Sequence, residues 1–126
     1  MPLVTLTVQR PKSVEFKASV LEAVHAALIA IGVPATDRFQ RVLELSPEDF
    51  RFDPTYPDVQ GTRDENFVLI EVLLSAGRSV KIKRQFLDTL MAQLSAAGHN
   101  PENVMLVFKE TTWENWAFAG GRQFHV

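Results

Sequence analysis

The sequence predicts an α/β (α+β) fold in which a duplicated βαβ unit forms one four-stranded sheet with two helices on one face. Two stretches, residues 2–45 and 66–109, each contain a strand pattern, a helix pattern, a glycine–proline stop and a second strand pattern. The length of 126 residues, 46% of them apolar, fits a single domain with its own core.

The first unit is indicated by a change of hydrophobic period. Residues 2–8 alternate valine and leucine with threonine, which is typical of a strand. Ser13 is a candidate helix N-cap, and apolar residues then recur at spacings of three and four over 16–31. Gly32-Val33-Pro34 ends this helix, and residues 39–45 are predicted as the second strand.

The second unit repeats this order. Residues 67–74 are almost continuously apolar, which favours a central strand covered on both faces. An amphipathic helix pattern runs over 80–94 and stops at Gly98 and Pro101, before a strand at 104–108. In each unit we expect parallel strands joined by a right-handed crossover.

We therefore predict one domain, 1–126, with the two units joined by a long loop at 46–65 and followed by a tail at 110–126. A short extended piece is expected at 50–52. With both helices on one face, the other face of the sheet stays uncovered. An apolar sheet face of that size predicts an oligomer.

Composition excludes several function classes. Thirteen Lys and Arg against fifteen Asp and Glu give a net charge of −2, which disfavours a nucleic-acid surface. The absence of cysteine excludes disulfides and thiol catalysis. His25, His99 and His125 have no metal-ligand spacing, so neither metal nor cofactor is expected. Without a membrane-spanning or leader pattern, we expect a cytoplasmic protein with no membrane partner.

Several short motifs, in this order, resemble the tautomerase superfamily and its malonate semialdehyde decarboxylase-like branch. The similar positions are Pro2 after the initial Met; Gly32-Val33-Pro34 before Asp37-Arg38-Phe39-Gln40; Glu48-Asp49-Phe50; Ser75-Ala76-Gly77-Arg78; and Trp116-Ala117-Phe118. The resemblance implies a homotrimer with active sites near each amino-terminal proline. It also implies that Asp37 and two arginines in the segment 76–78 complete the site. This chain keeps Arg78 but has Ala76 in place of the other arginine.

Pro2 is the residue on which the implied chemistry depends. If Met1 is removed, Pro2 presents a secondary amine, and an unperturbed α-amino group titrates near pH ~8. An apolar pocket lowers that pKa and favours a general base, whereas a neighbouring carboxylate raises it and favours a general acid. The alternative is that Pro2 only begins a strand, where its missing N–H does no harm.

Arg78 and Asp37 are the other candidate catalytic residues. The guanidinium of Arg78 follows the apolar strand and can bind a carboxylate through two parallel hydrogen bonds; otherwise Arg78 is a solvated turn residue. Asp37 can orient or activate water or keep Pro2 protonated, or it can be an ordinary turn residue. Trp116 and Phe118 are candidate substrate-binding residues, with packing as the alternative, and Arg122 is a candidate second cation.

The resulting hypothesis is a tautomerase-like enzyme that moves a proton in a small keto or enol carboxylic acid, with Pro2 as general base and acid. One alternative is a decarboxylase or hydratase of a 3-oxo or unsaturated acid, with Asp37 activating water. Another is a trimer that binds a small ligand without catalysis.

Overall fold

The computed structural model describes residues 2–124 and contains the duplicated unit that the sequence predicts. Met1 and His125, on which two of the sequence-based expectations depend, lie outside the described residues. The elements in chain order are β1 (Leu3–Gln9), α1 (Val14–Ala30), β2 (Gln40–Leu45), β3 (Val68–Ser75), α2 (Val80–Ala96) and β4 (Val104–Thr111), with short 3₁₀ turns at Pro101–Asn103 and Trp113–Asn115.

The four strands form one sheet in the order β2-β1-β3-β4. Within each unit the strands are parallel, as predicted: β1 pairs with β2, and β3 pairs with β4. The two units meet through the antiparallel pair of β1 and β3, where Leu3 lies opposite Leu73 and Val8 opposite Val68. The start of β1, the start of β2 and the ends of β3 and β4 therefore lie at the same edge of the sheet, called here the Pro2 edge.

Each helix begins at a serine cap. The Ser13 Oγ accepts a hydrogen bond from the Phe16 amide at 3.0 Å, which confirms the predicted cap of α1. The Ser79 Oγ accepts one from the Ile82 amide at 3.2 Å and caps α2 in the same way. In both cases a side-chain oxygen satisfies a first-turn amide that has no partner within the helix.

The core lies between the two helices and one face of the sheet. Every second residue of β1 and β3 points into it, including Leu6 and Ile70, which are fully buried. The helices contribute their inner faces, with Leu28 of α1 and Phe86 and Leu90 of α2 among the most buried side chains. Burial of apolar surface against two neighbouring helices thus holds both units to a shared core.

The opposite face of the sheet, called here the open face, carries no helix. Its side chains form rows across the strands, and one row is Leu43, Thr7, Leu69 and Met105. Leu43 is 44% exposed and Met105 is 46% exposed. The prediction that the third strand is covered on both faces therefore holds only for the helix side, because both helices lie on that side.

The long loop at 46–65 packs against its own chain. Residues 50–52 take no part in the sheet; Phe52 stacks on Phe67 with ring centroids 4.4 Å apart, and Phe50 lies 5.7 Å from the same ring. Aromatic packing thus holds this segment against the residue that precedes β3. Between residues 2 and 124, no helix is long and apolar enough to cross a membrane.

Candidate active site

The strand register brings the predicted site residues to the Pro2 edge. Pro2 is buried and directly precedes Leu3, which lies opposite Leu73 near the end of β3. On its other side, the Val4 amide donates to the Phe39 carbonyl at 2.9 Å, so the start of β1 also runs beside the residues that lead into β2. Pro2 therefore lies between the segment that carries Asp37 and the strand that leads to Arg78.

Asp37 belongs to the connection between α1 and β2. Its side chain is buried, with 9% of the residue exposed, although the neighbouring positions Thr36 and Arg38 are exposed. The Asp37 amide donates to the Pro34 carbonyl at 3.0 Å, which forms a turn just after Pro34 blocks continuation of the helix. This turn directs a carboxylate into the protein at the Pro2 edge.

Arg78 lies in the tight connection between β3 and α2. Pairing with β4 continues as far as the Ala76 amide, which donates to the Thr111 carbonyl at 2.8 Å. Gly77 then adopts φ = 124°, a conformation that side chains disfavour, and the chain turns to Arg78 just before the cap of α2. The hydrogen bond of Arg78 within residues 2–124 is a long one, 3.4 Å to the Ser75 carbonyl, so the guanidinium keeps donors for a ligand.

A cleft of about 460 Å³ joins these two residues. Asp37 and Arg78 both line it, and the remaining lining is largely apolar: Val33, Pro34, Phe39 and Trp113, together with Gly32 and Thr36. The Phe39 ring in this lining is 52% exposed. The cleft thus combines a cation, a buried carboxylate and an apolar wall.

Trp113 also lines the cleft, although the sequence favours packing over pocket lining for this residue. It lies in the 3₁₀ turn that follows β4, so the course of β4 decides its place at the Pro2 edge. Its only signal in the sequence was an aromatic residue shortly after a predicted strand. Sequence alone does not distinguish such a residue from a packing tryptophan.

Trp116 and Phe118 do not line this cleft. Their rings stack on each other at 5.4 Å in the tail, and the Trp116 Nε1 is buried without a hydrogen-bond partner among residues 2–124. Their role in substrate binding stays a prediction. Arg122 is exposed and folds back against Gly120, and its role as a second cation also stays a prediction.

A second hollow, of about 530 Å³, lies at the opposite edge of the sheet. It contains His99, whose ring nitrogen lies 2.6 Å from the Ser19 Oγ and whose pKa is lowered by burial. Asp64 in this hollow already accepts a hydrogen bond from Asn103 at 2.9 Å. Its lining from the described part of the chain contains no Lys or Arg, so the smaller cleft at the Pro2 edge is the better candidate for a carboxylate substrate.

No group of three His, Asp or Glu side chains within residues 2–124 is arranged to hold a metal ion. His25 is buried in α1, and its Nε2 bonds to the Ala35 carbonyl at 2.8 Å. His25 and His99 thus lie far apart in the chain, each with a protein partner. Among residues 2–124, the ionisable side chains that line the cleft at the Pro2 edge are the Asp37 carboxylate and the Arg78 guanidinium, and Pro2 is not one of its lining residues.

Comparison with known proteins agrees with this geometry. The family model described as "Tautomerase enzyme" matches residues 37–119. A probable tautomerase of Bacillus subtilis (strain 168), YusQ, is 25% identical over 124 residues, which cover 97% of this chain and 96% of that protein.

Solved structures show the same fold. Malonate semialdehyde decarboxylase FG41, inhibited by 3-bromopropiolate, is 26% identical with a TM-score of 0.86 and covers 95% of this chain and 91% of its own. Another malonate semialdehyde decarboxylase is 28% identical with a TM-score of 0.85 and covers 95% and 92%. A fused 4-OT, solved as a symmetric trimer, is 22% identical with a TM-score of 0.74 and covers 96% and 94%. Since the family model spans more than half of the chain, this protein belongs to the tautomerase enzyme family.

Proposed function

We propose that this protein is a tautomerase that moves a proton between carbon and oxygen in a small keto or enol carboxylic acid. The observation that carries the proposal is the cleft at the Pro2 edge, where Arg78 and Asp37 border an apolar wall. Family membership supports an enzyme of the tautomerase, decarboxylase or hydratase type. The assignment of the substrate and of each residue's role rests on the chemistry of the cleft.

The proton is carried by Pro2 in this proposal. Removal of Met1 converts the Pro2 nitrogen from an amide into a secondary amine at a buried position. Low polarity lowers the pKa of such an amine towards neutrality, so that the free base is present at about pH 7. The amine takes the enol hydroxyl proton and the resulting ammonium delivers a proton to the neighbouring carbon, which leaves the ketone and the free amine.

Arg78 binds the carboxylate of the substrate. Its guanidinium offers paired donors that match the two oxygens of a carboxylate, and the start of α2 beside it adds a partial positive charge. The rest of the substrate lies along the wall that includes Val33, Pro34 and Phe39. One cation and an apolar wall favour a monocarboxylate with an apolar tail over a dicarboxylate.

Decarboxylation or hydration is the second candidate function, and the specific observation that favours it is the buried carboxylate of Asp37. A carboxylate in the cleft can activate water as a general base, and the two decarboxylases are the more identical of the solved structures described above. Against it stands Ala76, where the resemblance to that branch implies a second arginine. We therefore rank tautomerisation first.

The working form in this proposal is a homotrimer. The open face presents Leu43, Leu69 and Met105 to solvent in a single chain, and contiguous apolar surface of this kind is normally covered by other subunits. The ion pair between Glu71 and Lys109 lies on the same face, and its charges would help to align the subunits that pack there. The fused 4-OT, which shares the fold, is itself a trimer.

Loss of Met1 and replacement of Pro2 test the base directly. Intact-mass measurement of untagged protein should show a chain without Met1, and Pro2→Ala should reduce turnover of phenylenolpyruvate on the order of a hundredfold or more. Alanine leaves a primary amine of different basicity and freedom, so a residual rate is expected. Full activity of Pro2→Ala, or of protein that keeps Met1, would show that Pro2 is not the base.

Arg78→Ala should weaken binding of the carboxylate without disturbing the fold. We expect KM for phenylenolpyruvate to rise roughly ten- to a hundredfold. The loss of a charge-assisted hydrogen bond weakens the binding free energy by about 1.5–3 kcal/mol. Arg84→Ala, on the exposed side of α2, is the matched control and should leave KM unchanged. If the methyl ester of the substrate is affected as strongly as the acid, Arg78 does not bind the carboxylate.

Asp37→Asn separates the two candidate functions. Asparagine keeps the size of the side chain but cannot accept a proton, so it removes only the base. A tautomerase that uses Pro2 should keep its activity within roughly tenfold, whereas a hydratase or decarboxylase should lose on the order of 10²–10⁴-fold. A large loss of tautomerase activity with the assembly intact would instead assign the proton transfer to Asp37.

The assembly is tested by light scattering at micromolar protein concentration. We expect a mass of about three chains for the wild type and a smaller mass for Leu69→Glu, which places a charge in the middle of the open face. Ile29→Glu is the control, because Ile29 is 43% exposed on α1, away from that face. A wild-type monomer, or equal dissociation of both variants, would contradict the trimer.

A further inference from the structure

Most of the residues that line the cleft belong to one short stretch of chain, residues 32–39, called here the 32–39 segment. It connects α1 to β2 and has no regular secondary structure of its own. Its internal hydrogen bonds are local: the Asp37 amide donates to Pro34 and the Arg38 amide donates to Thr36, each at 3.0 Å. Such a segment needs contacts with another element to keep one conformation.

The buried contact that supplies this support comes from His25 in α1. The His25 ring is 3% exposed, and its Nε2 hydrogen donates to the Ala35 carbonyl at 2.8 Å. Ala35 is in the middle of the 32–39 segment. A polar ring buried in a core must keep its hydrogen bond, because an unpaired donor there costs more than the bond itself contributes. The same bond therefore holds both the ring and the segment.

Two further polar contacts join the same part of α1 to the far end of this connection, and both are weaker anchors. Arg38 forms an ion pair with Glu22 at 2.6 Å, with side chains 40% and 65% exposed, so solvent screens it. The Gln40 side-chain Nε2 donates to the Leu21 carbonyl at 3.0 Å, but Gln40 is the first residue of β2 and is already held by pairing with Val4 of β1.

The two ends of the segment are held by the backbone, since the Val33 amide donates to the Leu28 carbonyl at 3.1 Å and the Phe39 carbonyl accepts from the Val4 amide. Within residues 2–124, His25 is the buried polar side chain that anchors the middle of the segment.

We propose that His25 is a positioning residue that holds the 32–39 segment against α1 and thereby fixes the apolar wall formed by Val33, Pro34 and Phe39. Because that wall lies opposite Arg78 in the cleft, its position determines how well the substrate's apolar tail is bound. The effect on the substrate rests on the proposed function, whereas the anchoring of the segment does not. The carboxylate contact is made by Arg78 from another connection and is left intact.

Three variants test this role. His25→Leu fills the space but removes the donor, and His25→Gln restores an N–H donor at a similar reach. His99→Leu is the matched control, because His99 is also a hydrogen-bonded histidine but lies at the opposite edge of the sheet. If His25→Leu does not fold, His25→Asn, whose amide is too short to reach Ala35, replaces it in the comparison.

The first measurement is amide hydrogen exchange, which needs no substrate. In His25→Leu the amides of Asp37 and Arg38 should exchange on the order of tenfold faster than in the wild type, because their local turn loses its anchor. His25→Gln should exchange within about threefold of the wild type, and His99→Leu should leave these amides unchanged. Unchanged exchange of Asp37 and Arg38 in His25→Leu would overturn the proposal.

The second measurement compares two enol acids with different tails. For phenylenolpyruvate, His25→Leu should raise KM on the order of tenfold and change kcat by less than about threefold, with rescue in His25→Gln. For the shorter 2-hydroxy-2,4-pentadienoate the rise in KM should be smaller. An equal rise for both acids, or the same rise in His99→Leu, would overturn the role in tail binding. If the wild type turns over neither acid, the proposed function fails while hydrogen exchange still decides the anchoring.

Discussion

The antiparallel pairing of β1 with β3 is the constraint on which the rest of the molecule depends. It joins two units that are parallel within themselves, so the beginning of the first strand and the end of the third lie at one edge. Pro2 and Arg78 are far apart in the sequence, and this arrangement brings their segments to the same edge of the sheet.

The same arrangement leaves one sheet face without a helix. Two crossovers of the same hand, related by an antiparallel pair, place both helices on one side, and the core forms there. The open face carries apolar side chains among threonines and charged residues. It is therefore more polar than the core but more apolar than a surface that only contacts water. In the proposed trimer this face provides the subunit contact, so that other subunits, and not further helices of the same chain, cover it.

The candidate site combines residues next to strand ends with an irregular connection, the 32–39 segment. Strand ends position Pro2 and Arg78, whose places follow from the hydrogen-bond register. The opposite wall is an irregular connection, and in our proposal a buried histidine of α1 keeps it in place. In our proposal, such a site can vary its substrate by changing the 32–39 segment, while Pro2 and Arg78, which lie next to strand ends, stay in place.

The sequence by itself determined the duplicated unit, both helices and all four strands, because hydrophobic period, serine caps and glycine–proline stops are local signals. Through family resemblance it also indicated Asp37 and Arg78, which share the cleft. Only the tertiary structure decided the aromatic packing of Phe50 and Phe52, the presence of Trp113 in the cleft and the bond from His25 to Ala35. These features depend on contacts between side chains from distant parts of the chain, and no local sequence pattern encodes such contacts.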